Sequence, residues 1–172
     1  FVTVDELVEE VGADVFRFFM IERKPDGHLD FDLDLAKDKN WRKNPAYYVQ
    51  YAHARTHGIE RKAEEVNIPM PTAHAFDAGR LALEEEIAIV KKLATFPEIV
   101  GRAAESREPH HIAYYLREVA GLWNPYLQDG ERHRVLSDDA ELTAARLGMA
   151  LAIRSVLASG LGLLGVSAPE RM

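Results

Sequence analysis

Helix-start and helix-stop signals recur along most of this chain, and they constrain its fold more than any other feature. Thr3 and Glu6 have the spacing of a capping box, and Gly12 follows at a position typical of a helix stop. The pair Asn44-Pro45 is a favourable N-cap and first position for a third helix. Apolar residues at helical spacing and local caps predict helices near residues 3–11, 13–23, 45–65, 80–95, 98–107, 109–124 and 138–164. The sequence therefore predicts a mostly α-helical bundle.

One segment departs from the helical period. Apolar residues alternate with aspartates at Leu29, Phe31, Leu33 and Leu35. Strict alternation predicts a short extended segment near residues 28–35. Because the chain shows no obvious partner strand, we expect an edge or hairpin remnant instead of a sheet.

Length and composition limit the class of protein. The 172 residues suffice for one packed domain, or one domain with a short subdomain. The absence of cysteine excludes disulfides, zinc–thiolate sites and thiol nucleophiles, and it favours a reducing cytoplasm. No uninterrupted apolar run approaches the roughly 18 residues of a membrane span, and the acidic opening is unlike a signal peptide. Because the chain opens with Phe1 and not with Met, we expect it to be a piece of a larger protein.

The charge of the chain is unevenly distributed. The formal net charge is −7, and residues 1–40 hold five basic and eleven acidic side chains. In contrast, residues 41–62 hold five basic and one acidic side chain, together with Trp41 and three tyrosines. A basic and aromatic segment on an acidic protein predicts a surface for a polyanion with exposed bases. A local patch of this kind suits a shaped RNA better than bulk DNA.

A helical projection of the third helix separates two faces. We expect an inner face made of Tyr48, Val49, Ala52, Thr56, Ile59 and Ala63. We expect an outer face made of Tyr47, Tyr51, Ala54, Arg55, Gly58, Arg61 and Lys62. Small residues between tyrosines and cations would let a sugar–phosphate backbone approach closely. The alternative is that the tyrosines pack against a neighbouring helix and the cations are only solvated.

Histidines and aspartates offer a weaker case for metal chemistry. His53 and His57 are spaced as a two-histidine metal pair, but no third ligand completes a site, so we expect solvated or hydrogen-bonded side chains. His110 and His111 are adjacent and are expected to point to different faces. The aspartates of the extended segment favour a solvent face over a magnesium site. We predict no metal or cofactor in this chain and, without a nucleophile, base and oxyanion hole, no catalysis.

Four stretches of the sequence match a known family in the same order. They are VTVDELVEEVGADVFRFFMIER, LDFDLDLA, NPAYYVQYAHAR and RSVLASGLGLLGVSAPERM. Together they resemble the arginyl-tRNA synthetases over essentially the whole chain. The resemblance implies the helical, DALR-type anticodon-binding domain over residues 41–172, preceded by connecting, stem-contact helices over residues 1–40. It also implies that the class I signature motifs, with the ATP and magnesium sites, belong to a catalytic domain outside this sequence.

The resemblance also implies which residues face RNA. Tyr47, Tyr51 and Arg55 match the family's first anticodon-domain helix, in agreement with the helical projection, and Arg61 and Lys62 add charge on the same face. The remaining residues that the resemblance implies at the anticodon are Tyr126, Arg134, Val135, Arg171 and Met172. Pro125 departs from the family pattern, which leaves the loop geometry around Tyr126 open.

These observations predict a tRNA-Arg binding domain of an ATP-dependent arginine–tRNA ligase. Its partners would be tRNA-Arg and the catalytic domain of the same enzyme, and we expect a cytoplasmic monomer that binds neither DNA nor a membrane. Two alternatives belong to other classes. The chain could be a helical protein-interaction module whose basic helix docks an acidic partner, or a metal-dependent enzyme built on its histidines and aspartates.

Overall fold

The computed structural model describes residues 3–24, 27, 31–72 and 75–172. Within these residues the regular structure is helical, as predicted, and no strand is formed. The helices are α1 (Val4–Val11), α2 (Ala13–Ile21), α3 (Leu33–Lys37), α4 (Pro45–Glu65), α5 (Glu84–Ala94), α6 (Phe96–Ser106), α7 (His110–Tyr126) and α8 (Ala140–Leu163). A 3-10 turn at Ala78–Arg80 precedes α5.

Local capping signals set the first helix boundaries where the sequence predicts them. The hydroxyl of Thr3 accepts from the amide of Glu6, and the carboxylate of Glu6 accepts from the amide of Thr3, which completes the predicted capping box. Gly12 ends α1 with a φ of +86°, a conformation that costs glycine little because it has no Cβ. The side-chain oxygen of Asn44 caps the first turn of α4, and Pro45 takes its first position.

The prediction of an extended segment near residues 28–35 is wrong for its second half. Residues 33–37 form the short helix α3, whereas residues 28–30 lie outside the described part of the chain. The carboxylate of Asp32 accepts a hydrogen bond from the amide of Leu35 and so caps a helical turn. Since no described strand lies beside this segment, an extended backbone would leave its amides unpaired, and the capped turn satisfies them.

The core lies where α4, α7 and α8 pack against one another. Among its fully buried side chains are Leu116 and Trp123 of α7, and Leu147 and Ile153 of α8. Phe18 of α2 is buried with them and attaches the N-terminal helices to the bundle. Burying each large apolar side chain of this kind contributes about 1.5–3 kcal/mol. One side of α4 therefore packs into the core, and the opposite side faces away from it.

Helix α8 is the longest helix among the described residues and is strongly apolar. It contains an 18-residue window with a mean hydropathy of 1.3, so by length and composition it would suffice to cross a membrane, although no strictly apolar run of that length occurs. In the bundle, 56% of that window is buried against other helices. The apolar character of α8 is that of a central core helix.

An aromatic ring helps to fasten the loop between α4 and α5 to α8, together with the ion pairs of Arg80 with Asp139 and Glu141. Phe76 lies directly against Gly148, and a methyl group at Gly148 would collide with three of its ring atoms. A glycine is required here by this close approach, since the backbone of Gly148 is ordinary α-helix. The contact holds the long connection between the two helices against the bundle.

Candidate nucleic-acid interface

One line of solvent-accessible side chains along α4 carries both tyrosines and cations. This line, the open strip, consists of Tyr47, Tyr51, Arg55, Gly58 and Lys62. Its members are half-buried except for Lys62, which is exposed. Two tyrosines are therefore followed by two cations along a surface about four helical turns long.

The predicted division of α4 into two faces is confirmed in outline. The predicted inner face is buried or half-buried: Tyr48, Val49, Ala52, Thr56, Ile59 and Ala63. The prediction is wrong for Ala54, which is 7% exposed. The helix is covered over more of its circumference than the projection assumed, because the segment after α8 lies across one side of it.

An aromatic stack crosses the open strip. The indole of Trp41 lies on the ring of Tyr51 with centroids 4.0 Å apart and planes 22° apart. Trp41 also lies 6.0 Å from Tyr48, nearly parallel to it. The guanidinium of Arg42 stands 4.5 Å from the centroid of Trp41, and that of Arg55 stands 5.5 Å from Tyr51. Two rings are thus flanked by two cations, and we call Arg42, Trp41, Tyr51 and Arg55 the aromatic stack.

Trp41 was part of the basic segment in the sequence but was not predicted as a site residue. It precedes α4, so the helical projection could not place it. Its stacking on Tyr51 is a contact across the N-terminal end of the helix. An aromatic residue a few positions before the N-cap of an aromatic helix is the signal that would have indicated it.

Arg55 lies at the junction of the open strip and α7. Its guanidinium donates to the carbonyl oxygens of Asn124 at 3.0 Å and Leu127 at 3.2 Å. Burial lowers the pKa of Arg55, while the proximity of Tyr51 acts in the opposite direction. The side chain nevertheless stays protonated, as arginine does in proteins. Because its partners are carbonyls and not carboxylates, its positive charge is not neutralised by an ion pair.

Arg61 and Lys62 differ although they are neighbours. Lys62 is exposed at the C-terminal end of the open strip, as predicted. Arg61 is half-buried and turns aside to donate to the carbonyl oxygen of Glu170 at 3.4 Å. Gly58 leaves space beside them, since a side chain there would meet only the distal Arg61 nitrogen at 3.8 Å.

The segment that follows α8, residues 164–172, runs along the other edge of α4. We call it the tail. Gln50 donates to the carbonyl oxygen of Ser167 at 3.0 Å, and the Nδ1 atom of His53 lies 2.9 Å from the carbonyl oxygen of Pro169. The predicted site residues Arg171 and Met172 follow directly and are exposed, Met172 by 59%. The structure thus brings the end of the tail next to α4.

His53 is hydrogen-bonded, as predicted for the i, i+4 histidine pair. It is 3% exposed, and its ring lies edge-on to that of His57 with centroids 4.9 Å apart. Burial lowers the pKa of His53, against the opposing effect of the hydrogen bond to Pro169. Burial also lowers the pKa of His57, with Arg154 and His53 acting in the same direction. Both rings are therefore neutral near pH 7.

The structure contradicts the prediction that Tyr126 offers its ring to RNA. Tyr126 is 2% exposed and lies between the rings of Trp123 and His133, with centroids at 5.5 and 4.2 Å. Its hydroxyl donates to the carboxylate of Glu86 at 2.9 Å. Tyr126 occupies the last turn of α7, one residue after Pro125, and that turn directs it inward.

The neighbouring residues Arg134 and Val135 differ in their exposure to solvent. Val135 is 7% exposed, so its side chain belongs to the core and the prediction of an accessible contact is wrong. Arg134 is exposed, as a phosphate contact requires. The backbone of Arg134 is held from inside, because its carbonyl accepts a 2.7 Å hydrogen bond from the guanidinium of Arg146.

A buried ion pair supports this region, and sequence reasoning did not find it. Arg146 donates to the carboxylate of Glu86 at 2.7 Å, and both side chains are almost fully buried. Burial by itself would raise the pKa of Glu86, but hydrogen bonds from the Leu83 amide, Arg146 and Tyr126 outweigh it and leave that pKa lowered. Burial raises the pKa of Tyr126 strongly. The partners are 60 positions apart, so no local pattern signals the pair.

The expectation that His110 and His111 point to different faces is wrong. Their ring centroids are 4.3 Å apart, and with Glu108 they offer ligand atoms within 4.8 Å of one another. His111 is already 3.1 Å from the Glu108 carboxylate. The cluster lies at the N-terminal end of α7, where the helix dipole opposes a bound cation.

A cleft of 550 Å³ opens between the N-terminal end of α4 and the first half of α7. It is lined by Arg42, Lys43, Pro45, Tyr48, Tyr114, Arg117 and Glu118. Two of its three cations are already engaged, since Lys43 pairs with Asp38 at 3.2 Å and Arg117 pairs with Glu22, whereas Arg42 stands over Trp41. The cleft therefore adds less available positive charge than its lining suggests.

Comparison with known proteins identifies the family. A family model described as the DALR anticodon binding domain matches residues 49–172. The chain belongs to this family. The matched DALR range contains most of α4, all of α5 to α8 and the tail, whereas α1 to α3 and Trp41 precede it.

Similar proteins extend the DALR match over the full chain. The arginine–tRNA ligase of Syntrophotalea carbinolica is 49% identical over 172 residues, which is 100% of this chain and 30% of that protein. The arginine–tRNA ligase of Geotalea daltonii is 48% identical with the same coverage. The chain thus spans 30% of the length of these curated relatives.

Solved structures share the same helical arrangement. The arginyl-tRNA synthetase of Thermus thermophilus superposes with a TM-score of 0.78 at 36% identity, over 95% of this chain and 27% of that one. The arginyl-tRNA synthetase of Plasmodium falciparum superposes with a TM-score of 0.73 over 99% of this chain and 29% of that one. At 20% identity, the second comparison shows the fold alone. The DALR assignment and the all-helical bundle therefore agree.

Proposed function

We propose that this chain binds the anticodon stem-loop of tRNA-Arg as the anticodon-binding part of an arginine–tRNA ligase. The observation that carries the proposal is the aromatic stack on the open strip of α4, in which Trp41 and Tyr51 lie between two guanidinium groups. Aromatic and guanidinium planes are the groups that hold unstacked bases of single-stranded RNA loops. Similarity of the whole chain to arginine–tRNA ligases supports this choice of RNA.

The stack suggests how a loop base binds. The guanidinium of Arg42 covers Trp41 and belongs to an exposed side chain. An exposed cation–π contact contributes about 0.5–1 kcal/mol, whereas stacking of a base on an aromatic ring contributes about 1–3 kcal/mol. A splayed loop base therefore displaces Arg42 from the indole, and the freed guanidinium contacts an adjacent phosphate.

Phosphate contacts would come from cations around the stack. Lys62 and Arg134 are exposed, and Arg55 keeps a charge with no carboxylate partner within the described residues. Tyr47 on the open strip adds a second half-buried ring. Arg171 and Met172 at the end of the tail approach the loop from the other edge of α4. Tyr126 and Val135 are left out of the contact surface because they are buried.

The activity of the whole protein follows as part of the same proposal. We assign the attachment of arginine to tRNA-Arg to a catalytic domain outside this chain, which would bind ATP with magnesium. Residues 1–40 would connect that domain to the anticodon-binding domain of residues 41–172. The chain itself would bind RNA without catalysing a reaction or holding a cofactor. We propose a monomer in the cytoplasm.

A second candidate is a protein-interaction module whose basic strip docks an acidic partner. The same cations of α4 would serve either role, since charge complementarity alone does not read bases. The two candidates differ in their response to the anticodon. An RNA-reading surface is sensitive to the loop sequence, whereas an acid-docking surface responds only to charge.

Binding should be measured by salt titration against tRNA-Arg, tRNA-Arg with a changed anticodon and an unrelated tRNA. We expect Trp41→Ala to weaken tRNA-Arg binding by about 1–3 kcal/mol, the value of a lost base-stacking contact. Tyr51→Ala should also weaken binding, but by less, because Tyr51 supports the indole from its other side. Lys62→Ala should reduce the slope of log K against log salt by about 0.7, the value for one phosphate contact on a single strand. Removal of Met172 should reduce discrimination between anticodons.

Lys91→Ala is the matched control. Lys91 is exposed on α5, so this variant removes a positive charge away from the open strip. It should bind all three RNAs as the unchanged protein does. Equal binding of all three RNAs by the unchanged protein, or no effect of the two aromatic substitutions, would contradict the proposal. Binding of acidic proteins with indifference to the anticodon would support the second candidate.

A further inference from the structure

The tail is held by two buried side chains near its start, Leu164 and Val166, and by four of its backbone carbonyls. Gly165, with a φ of +66°, reverses the chain after α8 and starts the tail on its course back across α2 and α4. The tail carbonyl oxygens then accept hydrogen bonds from side chains of those two helices. The donors and acceptors pair as Arg17 with Gly165, Gln50 with Ser167, His53 with Pro169, and Arg61 with Glu170.

Gln50 is the centre of this arrangement. Its side chain is 4% exposed, and its Nε2 atom donates to the carbonyl oxygen of Ser167 and to a carboxylate oxygen of Asp14, both at 3.0 Å. The other carboxylate oxygen of Asp14 accepts from the amide of Ser167 at 3.1 Å, and the Ser167 hydroxyl also donates to Asp14. Three residues from α2, α4 and the tail therefore form a closed hydrogen-bonded unit.

His53 repeats the contact one turn further along α4. The ring is 3% exposed, and Nδ1 donates to the carbonyl oxygen of Pro169 at 2.9 Å, which fixes the neutral tautomer with its proton on Nδ1. Pro169 has no backbone N–H and a fixed φ, so the chain is stiff at the residue whose carbonyl accepts the hydrogen bond from His53. Two buried polar side chains of α4, Gln50 and His53, thus form hydrogen bonds with the main chain of the tail.

These contacts stop just before the end of the chain. Arg171 and Met172 are exposed, and Met172, a large apolar side chain, is 59% exposed. The first part of the tail buries Leu164 and Val166, whereas the last two side chains are left in solvent. The arrangement is suited to presenting those two residues at a fixed place at the edge of α4 along which the tail runs.

We propose that Gln50 and His53 are positioning residues that hold the tail so that Arg171 and Met172 contact the RNA. The inference rests on the proposed function. Gln50 and His53 themselves are buried and touch the tail, not the ligand. Their effect on RNA binding would therefore pass entirely through the last two residues.

The first test measures the tail without RNA. Carboxypeptidase should remove the exposed Arg171 and Met172 readily in every variant, and its further progress into the tail should be slow in the unchanged protein. That further digestion should be about tenfold faster in Gln50→Leu, which keeps the side-chain size and removes the hydrogen bonds to Asp14 and Ser167. Gln128→Leu makes the same chemical change at an exposed residue and should leave the rate unchanged. Asp14→Ala, at a half-buried residue, is a second variant that weakens the same unit should Gln50→Leu fail to fold.

The second test is a double-mutant cycle on tRNA-Arg affinity. Gln50→Leu should weaken binding by about the same factor as removal of residues 171–172. In the protein that lacks those two residues, Gln50→Leu should have no further effect. His53→Ala should behave in the same way.

Two results would overturn the positioning role. One is a tail that is released by Gln50→Leu while tRNA-Arg affinity stays the same. The other is an equal loss of affinity in the full and shortened proteins, which would show that Gln50 acts through the fold in general. Failure of the proposed function is distinguishable, because it would appear as absent anticodon discrimination in the unchanged protein.

Discussion

The guanidinium of Arg55 donates to the carbonyl oxygen of Asn124 at 3.0 Å, in the last turn of α7. The final carbonyls of a helix have no amide partner within the helix. Here the guanidinium of Arg55, from α4, takes the place of that donor. The same guanidinium faces the ring of Tyr51. Arg55 thus joins α4 to α7 and also places a positive charge on the open strip.

Arg55→Lys should separate these two roles. Lysine keeps the charge but cannot reach two carbonyls with a planar fork, so we expect a loss of about 1–2 kcal/mol in the free energy of unfolding. RNA binding should retain most of its salt dependence, because the positive charge remains. Urea denaturation and a salt titration measure the two effects. Lys62→Ala is the reverse control, because we expect it to leave stability unchanged and to reduce the salt dependence of RNA binding. An Arg55→Lys protein as stable as the unchanged protein would contradict the carbonyl contacts.

Gly148→Ala should destabilise the bundle, because the new methyl group collides with the ring of Phe76. Overpacking of this kind costs about 1–3 kcal/mol. Gly162→Ala is a matched control on the same helix, since a methyl group there meets nothing within 4 Å, and it should gain up to about 1 kcal/mol from helix propensity. Thermal denaturation of both variants provides the comparison. In the Phe76→Ala background the cost of Gly148→Ala should largely disappear, and full additivity would refute the contact.

Arg146→Met should be among the most damaging single changes in the described chain. It leaves the carboxylate of Glu86 buried without its cation, and breaking a buried pair in this way costs about 3–5 kcal/mol. Arg102→Ala removes an exposed pair with Glu98 and should cost no more than about 0.5 kcal/mol. Chemical denaturation of the two variants tests the contrast. Similar stabilities would mean that the buried pair is not maintained in solution.

Stability should fall as the pH drops below about 6.5. Burial lowers the pKa values of His53, His57 and His110 from an ordinary value of 6.5. A histidine with a depressed folded-state pKa binds its proton more readily when unfolded, so its contribution is present above the unfolded pKa and is lost as the pH decreases. Urea denaturation at pH 7.5, 6.5 and 5.5 should show this loss. His110→Leu should reduce the dependence on pH, and an unchanged slope would contradict the burial of that ring.

Sequence predicted those parts of the fold that local chemistry determines. The Asn44-Pro45 cap and the stop at Gly12 act within one turn, so the bounds of α1 and α4 followed from them. The alternation was misleading for residues 33–35 because extended backbone needs a partner, and the Asp32 cap offered a local alternative. Periodicity describes a face that a segment could bury, and tertiary packing decides whether it does so.

The candidate site was predictable where a single helix defines it. A projection of α4 found Tyr47, Tyr51, Arg55 and Lys62, but it could not place Trp41, which stacks from outside the helix. The inward direction of Tyr126 depends on Glu86, which lies 40 positions away. Contacts at such separations are set by how helices pack, and one sequence contains no local sign of them.

The pairing of Asp14 with Ser167 has a consequence for how the protein folds. The two residues are 153 positions apart, so their contact closes one of the longest loops in the chain. Loop closure of this length costs chain entropy before any enthalpy is recovered, which delays such contacts relative to local helix formation. Docking of the tail onto α2 and α4 should therefore be a late folding event, completed only after the bundle has brought the two regions together.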